Sequence, residues 1–207
     1  MVKVKICGNT NLEDTMAAVE AGADAVGFVF YARSPRATTP KSVAAIVSHL
    51  PPYVMPVGVF VNEDLGVVRK IMEDCNIPLA QLHGDESPQY CALLGRPIIK
   101  AIRVRDRRDL DRMASYQVGG FVLDAFVEGV PGGTGVTLDW DLAGEAQKLG
   151  PIILAGGLTP DNVAEAVRRV RPYGVDVSSG VESSPGVKDH AKVRAFITNA
   201  RLIAPLP

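Results

Sequence analysis

Eight short apolar runs recur along the chain, each closed by a glycine-rich or polar turn and followed by an amphipathic stretch. They are VKVKIC, AVGFVF, MPVGVFV, LAQLHG, PIIKAIRV, GFVLDA, PIILAG and GVDVSSG. Their Val- and Ile-rich composition is that of strands buried on both faces of a parallel sheet. Helical spacing fills the gaps. Val43, Ile46, Val47 and Leu50 fall at i, i+3, i+4 and i+7, as do Val163, Ala166, Val167 and Val170, and Val193, Phe196, Ile197 and Ala200. LTPDN at 158–162 reads as a helix start with Thr159 as cap, and Gly22 as a helix C-terminal stop. RDRRDLDRM reads as a short, solvated helix. Strict strand–helix alternation allows an open doubly wound sheet or a closed barrel. Eight units at about 26 residues each, near the lower size for the fold, favour the α/β class as a (β/α)8 TIM barrel. The CGNTNLED turn also lacks a dinucleotide-binding glycine fingerprint. We therefore expect one barrel domain over 1–202 and a C-terminal tail at 203–207.

Composition narrows the function. With 207 residues, 47% hydrophobic content and a net charge of −1, the chain has the core of a globular domain and no basic footprint for nucleic acid. No stretch approaches a membrane span, and no apolar signal core follows the N-terminus. Cys7, Cys75 and Cys91 are odd in number and irregular in spacing. That suits neither a disulfide framework nor a zinc site, so free thiols in a cytoplasmic protein are expected.

In such barrels the loops after the strand C-termini build the active site. The polar residues there are Cys7, Arg36, Asn62, Gln81, His83, Arg103, Asp124, Gly156, Gly157, Asp176, Ser178, Ser179 and Gly180. The turns ILAGGLTPDN and VSSGVESSPG follow strands seven and eight, where backbone N–H groups, hydroxyls and a helix N-terminus can hold a phosphate. A third turn, GGTG at 132–135, is either a lid or a simple loop. Asp124 ends an apolar strand, so it either pairs or caps locally or serves as a general acid. Cys7 reads as a small buried residue or as a group flanking a ligand opposite Asp124. Arg36 is a solvated side chain or a clamp for a carboxylate. His83 is a base or holds its own turn, and Asp176 is structural or binds a hydroxyl.

Taken in order, KICG at 5–8, SPR at 34–36, VGVFVN at 57–62, QLHGDE at 81–86, LDA at 123–125, GGTG at 132–135, LAGGL at 154–158 and VDVSSGVE at 175–182 resemble the phosphoribosylanthranilate isomerase family of tryptophan biosynthesis. The resemblance runs to about residue 200. It implies an isomerase that converts N-(5-phosphoribosyl)anthranilate into 1-(2-carboxyphenylamino)-1-deoxyribulose 5-phosphate by an Amadori rearrangement, the third step from chorismate to tryptophan. On that likeness Cys7 is the general base, Asp124 the general acid and Arg36 the partner of the anthranilate carboxylate. Gly156, Gly157, Ser179 and Gly180 hold the phosphate, and Asp176, His83 and Gln81 add further substrate contacts. Gly8 is expected to keep backbone bulk away from the substrate. No metal and no cofactor are implied. The partner is a phosphorylated small molecule, not nucleic acid or membrane, and the protein is expected as a monomer or homodimer. Two departures stand out: Val136 follows GGTG where many relatives carry a basic residue, and SPRATT lacks the aromatic that often follows the arginine.

Two rivals share the fold. A related aminoaldose isomerase of histidine biosynthesis usually carries aspartate rather than cysteine at the end of strand one and binds two phosphates. A metabolite-sensing barrel would bind a ribose phosphate without turnover.

Overall fold

The alternation within each strand determines which side chains meet. The computed structural model describes residues 1–104, 106–125 and 140–202. Eight parallel strands run in sequence order: β1 (Lys3–Ile6), β2 (Ala25–Val29), β3 (Met55–Phe60), β4 (Leu79–Leu82), β5 (Ile98–Val104), β6 (Gly120–Ala125), β7 (Ile152–Leu154) and β8 (Gly174–Val177). Pairing of β1 with β8 closes the barrel. The helices are α1 (Leu12–Glu20), α2 (Pro40–Val47), α3 (Leu65–Asp74), α4 (Pro88–Leu94), α5 (Arg107–Met113), α6 (Trp140–Ala146), α7 (Val163–Val170) and α8 (His190–Arg201). The expected (β/α)8 barrel is the observed one.

Two apolar layers result. Val4 and Ile6 of β1, Phe121 and Leu123 of β6, and Val175 and Val177 of β8 face the helices and join the main core with Phe28, Phe60 and Phe196. A smaller cluster of Val57, Ile99, Ala101, Val122 and Ala155 packs separately. These residues alternate with the outward set and fill the barrel beneath its rim. Burial of each large side chain contributes about 1.5–3 kcal/mol.

Polar residues set the helix ends. Asn11, Thr39, Asp64, Ser87, Asp106 and Asp189 each accept a backbone N–H of the first turn, worth about 1 kcal/mol apiece. Gly22 follows the end of α1 at φ +99°, the left-handed stop expected there. The start of α7 differs from expectation. Asn162 turns back, with Oδ1 accepting the Thr159 N–H (2.8 Å) and Nδ2 donating to the Gly157 carbonyl (2.9 Å). Residues 160–162 are thereby held in a turn, and the helix begins at Val163 rather than beside Thr159. Leu50 likewise lies past the end of α2, in a turn that still packs it on the core. The RDRRDLDRM segment forms α5, which buries Asp109, Leu110 and Met113. A small antiparallel hairpin of β9 (Glu182–Ser184) and β10 (Val187–Lys188) after β8 was not foreseen, nor were the short 3-10 turns at Gln147–Leu149 and Ser179–Val181. The GGTG turn, Val136 and the tail 203–207 lie outside the described residues.

Candidate active site

The inward side chains at the strand ends surround a cavity of about 390 Å³. Cys7, Arg36, Gln81, His83, Asp124 and Asp176 all line it, together with both glycine turns. Every residue given a catalytic or substrate-binding role on the family likeness lines this cavity, whereas Asn62 of the rim does not and instead accepts the Asp85 N–H (2.6 Å). Among the described residues no group of three or more His, Cys, Asp or Glu side chains is arranged to hold a metal, and no helix is long and apolar enough to cross a membrane.

Cys7 follows β1 directly, and its N–H extends the ladder to the Val177 carbonyl (2.8 Å). The side chain is buried and rests against Gly27 of β2, where an added Cβ would sit 2.7 Å from Sγ. Burial pushes the thiol above its ordinary value, while Lys5 pulls in the opposite direction. Gly8 carries φ +71°, and a Cβ there would meet Arg36 Cδ at 2.6 Å and Ser178 Oγ at 2.7 Å. Its smallness therefore lets those two side chains approach, which differs from the expected clearance for substrate.

Asp124 lies at the end of β6, opposite Arg103 of β5 in register, and is buried. His83 Nε2 lies 3.3 Å from its Oδ2, and His83 Nδ1 lies 2.9 Å from the Gln81 amide nitrogen. Donor and acceptor roles in these two contacts follow the imidazole tautomer, each ring nitrogen having one polar neighbour. His83 and Gln81 thus form a chain ending on the carboxyl group. Arg103 lines the same cavity, and its buried Nε has no hydrogen-bond partner among the described residues.

Arg36 has a partner that its own loop did not reveal. Its Nε and Nη2 donate to Glu182 Oε1 (2.8 Å) and Oε2 (2.7 Å), a forked pair that fixes the guanidinium plane. Lys188 also donates to Glu182 Oε1 (2.8 Å) and to the Cys7 carbonyl (2.6 Å). Burial raises the Glu182 carboxyl, but Arg36 and Lys188 more than offset it and hold the group below the usual range. The small hairpin therefore ties the arginine loop to the backbone of Cys7.

The two glycine turns adjoin each other. Gly156 and Gly157 adopt φ +76° and +66°, and a Cβ on Gly180 would run into the Leu158 carbonyl oxygen. Only glycine allows this close packing of the segments after β7 and β8. With Ser178 and Ser179 at their edge, they form a polar, hydroxyl-lined end of the cavity.

Sequence reasoning missed Lys5, Glu182 and Lys188. Lys5 pairs with Asp176 (2.7 Å) while both are buried, so Asp176 is at least a structural partner and also lines the cavity. The signal for Lys5 was its spacing of two from Cys7 along a strand, which puts both on one face. For the hairpin, it was the SSPG turn between Glu182 and Lys188.

Comparison with known proteins agrees with this architecture. A family model described as N-(5'phosphoribosyl)anthranilate (PRA) isomerase matches residues 4–199. The N-(5'-phosphoribosyl)anthranilate isomerase of Geotalea uraniireducens is 57% identical over 201 residues, covering 97% of this chain and 99% of that one. The crystal structure of phosphoribosyl anthranilate isomerase from Thermotoga maritima superposes with a TM-score of 0.92 at 42% identity, covering 98% of this chain and 100% of the other. A second structure of such an enzyme, solved with reduced 1-(o-carboxyphenylamino)-1-deoxyribulose 5-phosphate, gives a TM-score of 0.89 at 42% identity over 98% of this chain and all of its own. On its barrel, its rim residues and these likenesses, the chain belongs to the N-(5'-phosphoribosyl)anthranilate isomerase family.

Proposed function

We propose that Cys7 and Asp124 are the base and acid of the family's reaction in this chain, the isomerisation of N-(5'-phosphoribosyl)anthranilate in tryptophan biosynthesis. The observation that carries the assignment is their shared cavity, with a thiol from β1 and a carboxyl from β6 facing the same space as the glycine turns. Asp124, protonated, gives its proton to the furanose ring oxygen. The C1′–O bond breaks and its electrons pass to that oxygen, leaving an iminium ion at C1′. The cation acidifies the C2′ proton. Cys7, as thiolate, takes that proton, and the C–H pair becomes the C1′–C2′ double bond as the nitrogen is neutralised. The enolamine then tautomerises to the aminoketose. Acid and base each contribute roughly 10²–10⁴-fold in such reactions.

Binding groups hold the two ends of the substrate. The phosphate goes to Gly156, Gly157, Ser179 and Gly180, where close backbone packing and hydroxyls favour an anion. Arg36 uses the guanidinium edge not engaged by Glu182 for the anthranilate carboxylate. His83 and Gln81 orient Asp124, whose Oδ2 lies 3.3 Å from His83 Nε2. This fixed geometry supplies the orientation term of the rate enhancement.

The test is steady-state turnover of purified variants. Cys7→Ser and Asp124→Asn should each lose kcat by about 10²-fold or more with the fold intact. Near-wild-type kcat in either would remove the assignment. Arg36→Ala should act mainly through KM, and an unchanged KM would remove its assigned role.

A further inference from the structure

A buried thiol has to ionise to act as a base, yet burial opposes the charge. Something close to the sulfur has to favour the thiolate. Five charged side chains surround Cys7: Lys5 on its own strand, Asp176 from β8, Lys188 from β10, Arg36 from the loop after β2, and Glu182 from β9 behind the last two.

Three of the five are cations, and their commitments differ. Arg36 donates through Nε and Nη2 to Glu182. Lys188 donates to Glu182 and to the Cys7 backbone carbonyl, so it holds the main chain. Lys5 donates to Asp176 Oδ2 at 2.7 Å, and its ammonium also interacts with the Cys7 sulfur. An ammonium has three donors. Lys5 and Cys7 are two residues apart, so both project into the barrel, and both press on the same point of β2. A Cβ on Gly27 would lie 3.1 Å from Lys5 Cε and 2.7 Å from Cys7 Sγ. The ammonium and the sulfur are therefore immediate neighbours in a water-poor space.

We propose that Lys5 is the positioning residue of the base, its ammonium stabilising the Cys7 thiolate while Asp176 anchors the lysine side chain. The proposal rests on the assignment of Cys7 as base and explains how that base becomes available. Lys5 stays protonated throughout. Burial lowers its affinity for the proton, but the Asp176 carboxylate and the Cys7 sulfur more than offset this and hold it above the ordinary lysine value. When the thiolate takes the C2′ proton, the negative charge beside Lys5 is lost and the iminium charge is neutralised in the same step. Lys5 transfers no proton, and no further reactant is needed.

The test uses a Cys75→Ala/Cys91→Ala background, in which Cys7 is the sole thiol. Its ionisation is followed against pH by ultraviolet thiolate absorbance, alongside the pH profile of kcat/KM. Lys5→Met should cut the thiolate fraction at neutral pH about tenfold or more, a displacement of one pKa unit. The ascending limb of the kcat/KM profile should move to higher pH by the same amount. Lys5→Arg, which keeps the charge, should restore much of both. Because Lys5→Met leaves Asp176 buried and unpaired, Lys5→Met/Asp176→Asn removes the pair together and should show, in a folded protein, a displacement in the same direction but smaller, because the Asp176 carboxylate itself opposes the thiolate. If the thiol titration or the limb stays in place in the double variant, the proposal is overturned. The underlying assignment is tested separately: a fully active Cys7→Ser overturns both, whereas an inactive Cys7→Ser with an unmoved titration overturns only the role of Lys5.

Discussion

Glu182→Gln is the most informative perturbation of the supporting network. The carboxylate accepts three charge-assisted hydrogen bonds, two from Arg36 at 2.8 and 2.7 Å and one from Lys188 at 2.8 Å. The side chains of Glu182 and Lys188 are 4% and 0% exposed. Glutamine keeps the shape but replaces one oxygen by an NH2 facing a cation, leaving a buried ammonium without its counter-charge. Breaking a buried pair from one side costs about 3–5 kcal/mol, and the partial exposure of Arg36 favours the lower end. For a chain of this size about 3 kcal/mol lowers Tm by about 6–12 °C. Urea unfolding at neutral pH should show the same loss as a reduced midpoint with an unchanged slope. Because Glu182 also braces Arg36, KM should rise severalfold in the same protein. Asp74→Asn is the control. It removes an exposed pair with Lys70 and should change stability by less than about 0.5 kcal/mol. If Glu182→Gln melts no earlier than Asp74→Asn and keeps its KM, the network does not support the site as argued.

Three further outcomes follow from the same geometry. Gly27→Ala pushes a methyl group against Cys7 Sγ and Lys5 Cε, so kcat should fall about 10–100-fold with the fold retained, measured by turnover and circular dichroism. Gly180→Ala collides with the Leu158 carbonyl oxygen, separates the two glycine turns, and should raise KM together with a lowered Tm. Asp14 and Glu182 both have folded-state values below those of ordinary carboxylates: burial raises each, and their hydrogen-bond donors more than compensate. Their contribution to stability is therefore present above about pH 5, where both states are ionised, and is lost as pH falls below about 4 through the depressed values. An acid titration of unfolding free energy should show that decline, which Glu182→Gln should reduce.

The order of strands and helices was legible because each buried parallel strand reads as a continuous apolar run and each covering helix as a periodic one. The rim residues were legible because a barrel puts its chemistry at strand C-termini. The start of α7 was misplaced because local cap rules see Thr159 and Pro160, whereas Asn162 folds back onto the glycine turn through contacts that the pattern does not encode. Lys5 escaped for a different reason. In VKVKIC the lysines alternate with valine and isoleucine, a pattern that ordinarily puts the polar face in water. Here Val4 and Ile6 meet the helices, and Lys5 turns into the barrel to pair with Asp176. Arg36 and Glu182 are 146 residues apart in sequence, and neither local segment points to the other. Ion pairs across the barrel mouth are products of closure, so they became visible only in three dimensions.

The central claim is that Cys7 and Asp124 work on one substrate from different sides. Its most direct measurement is a crystal structure of this protein with a reduced analogue of its product. The account expects the phosphate at the turns after β7 and β8, Cys7 Sγ within about 3–3.5 Å of the carbon corresponding to C2′, and the Asp124 carboxyl on the opposite side of the reacting carbons. An analogue seated with its phosphate elsewhere, or with either side chain turned away from those carbons, would contradict it.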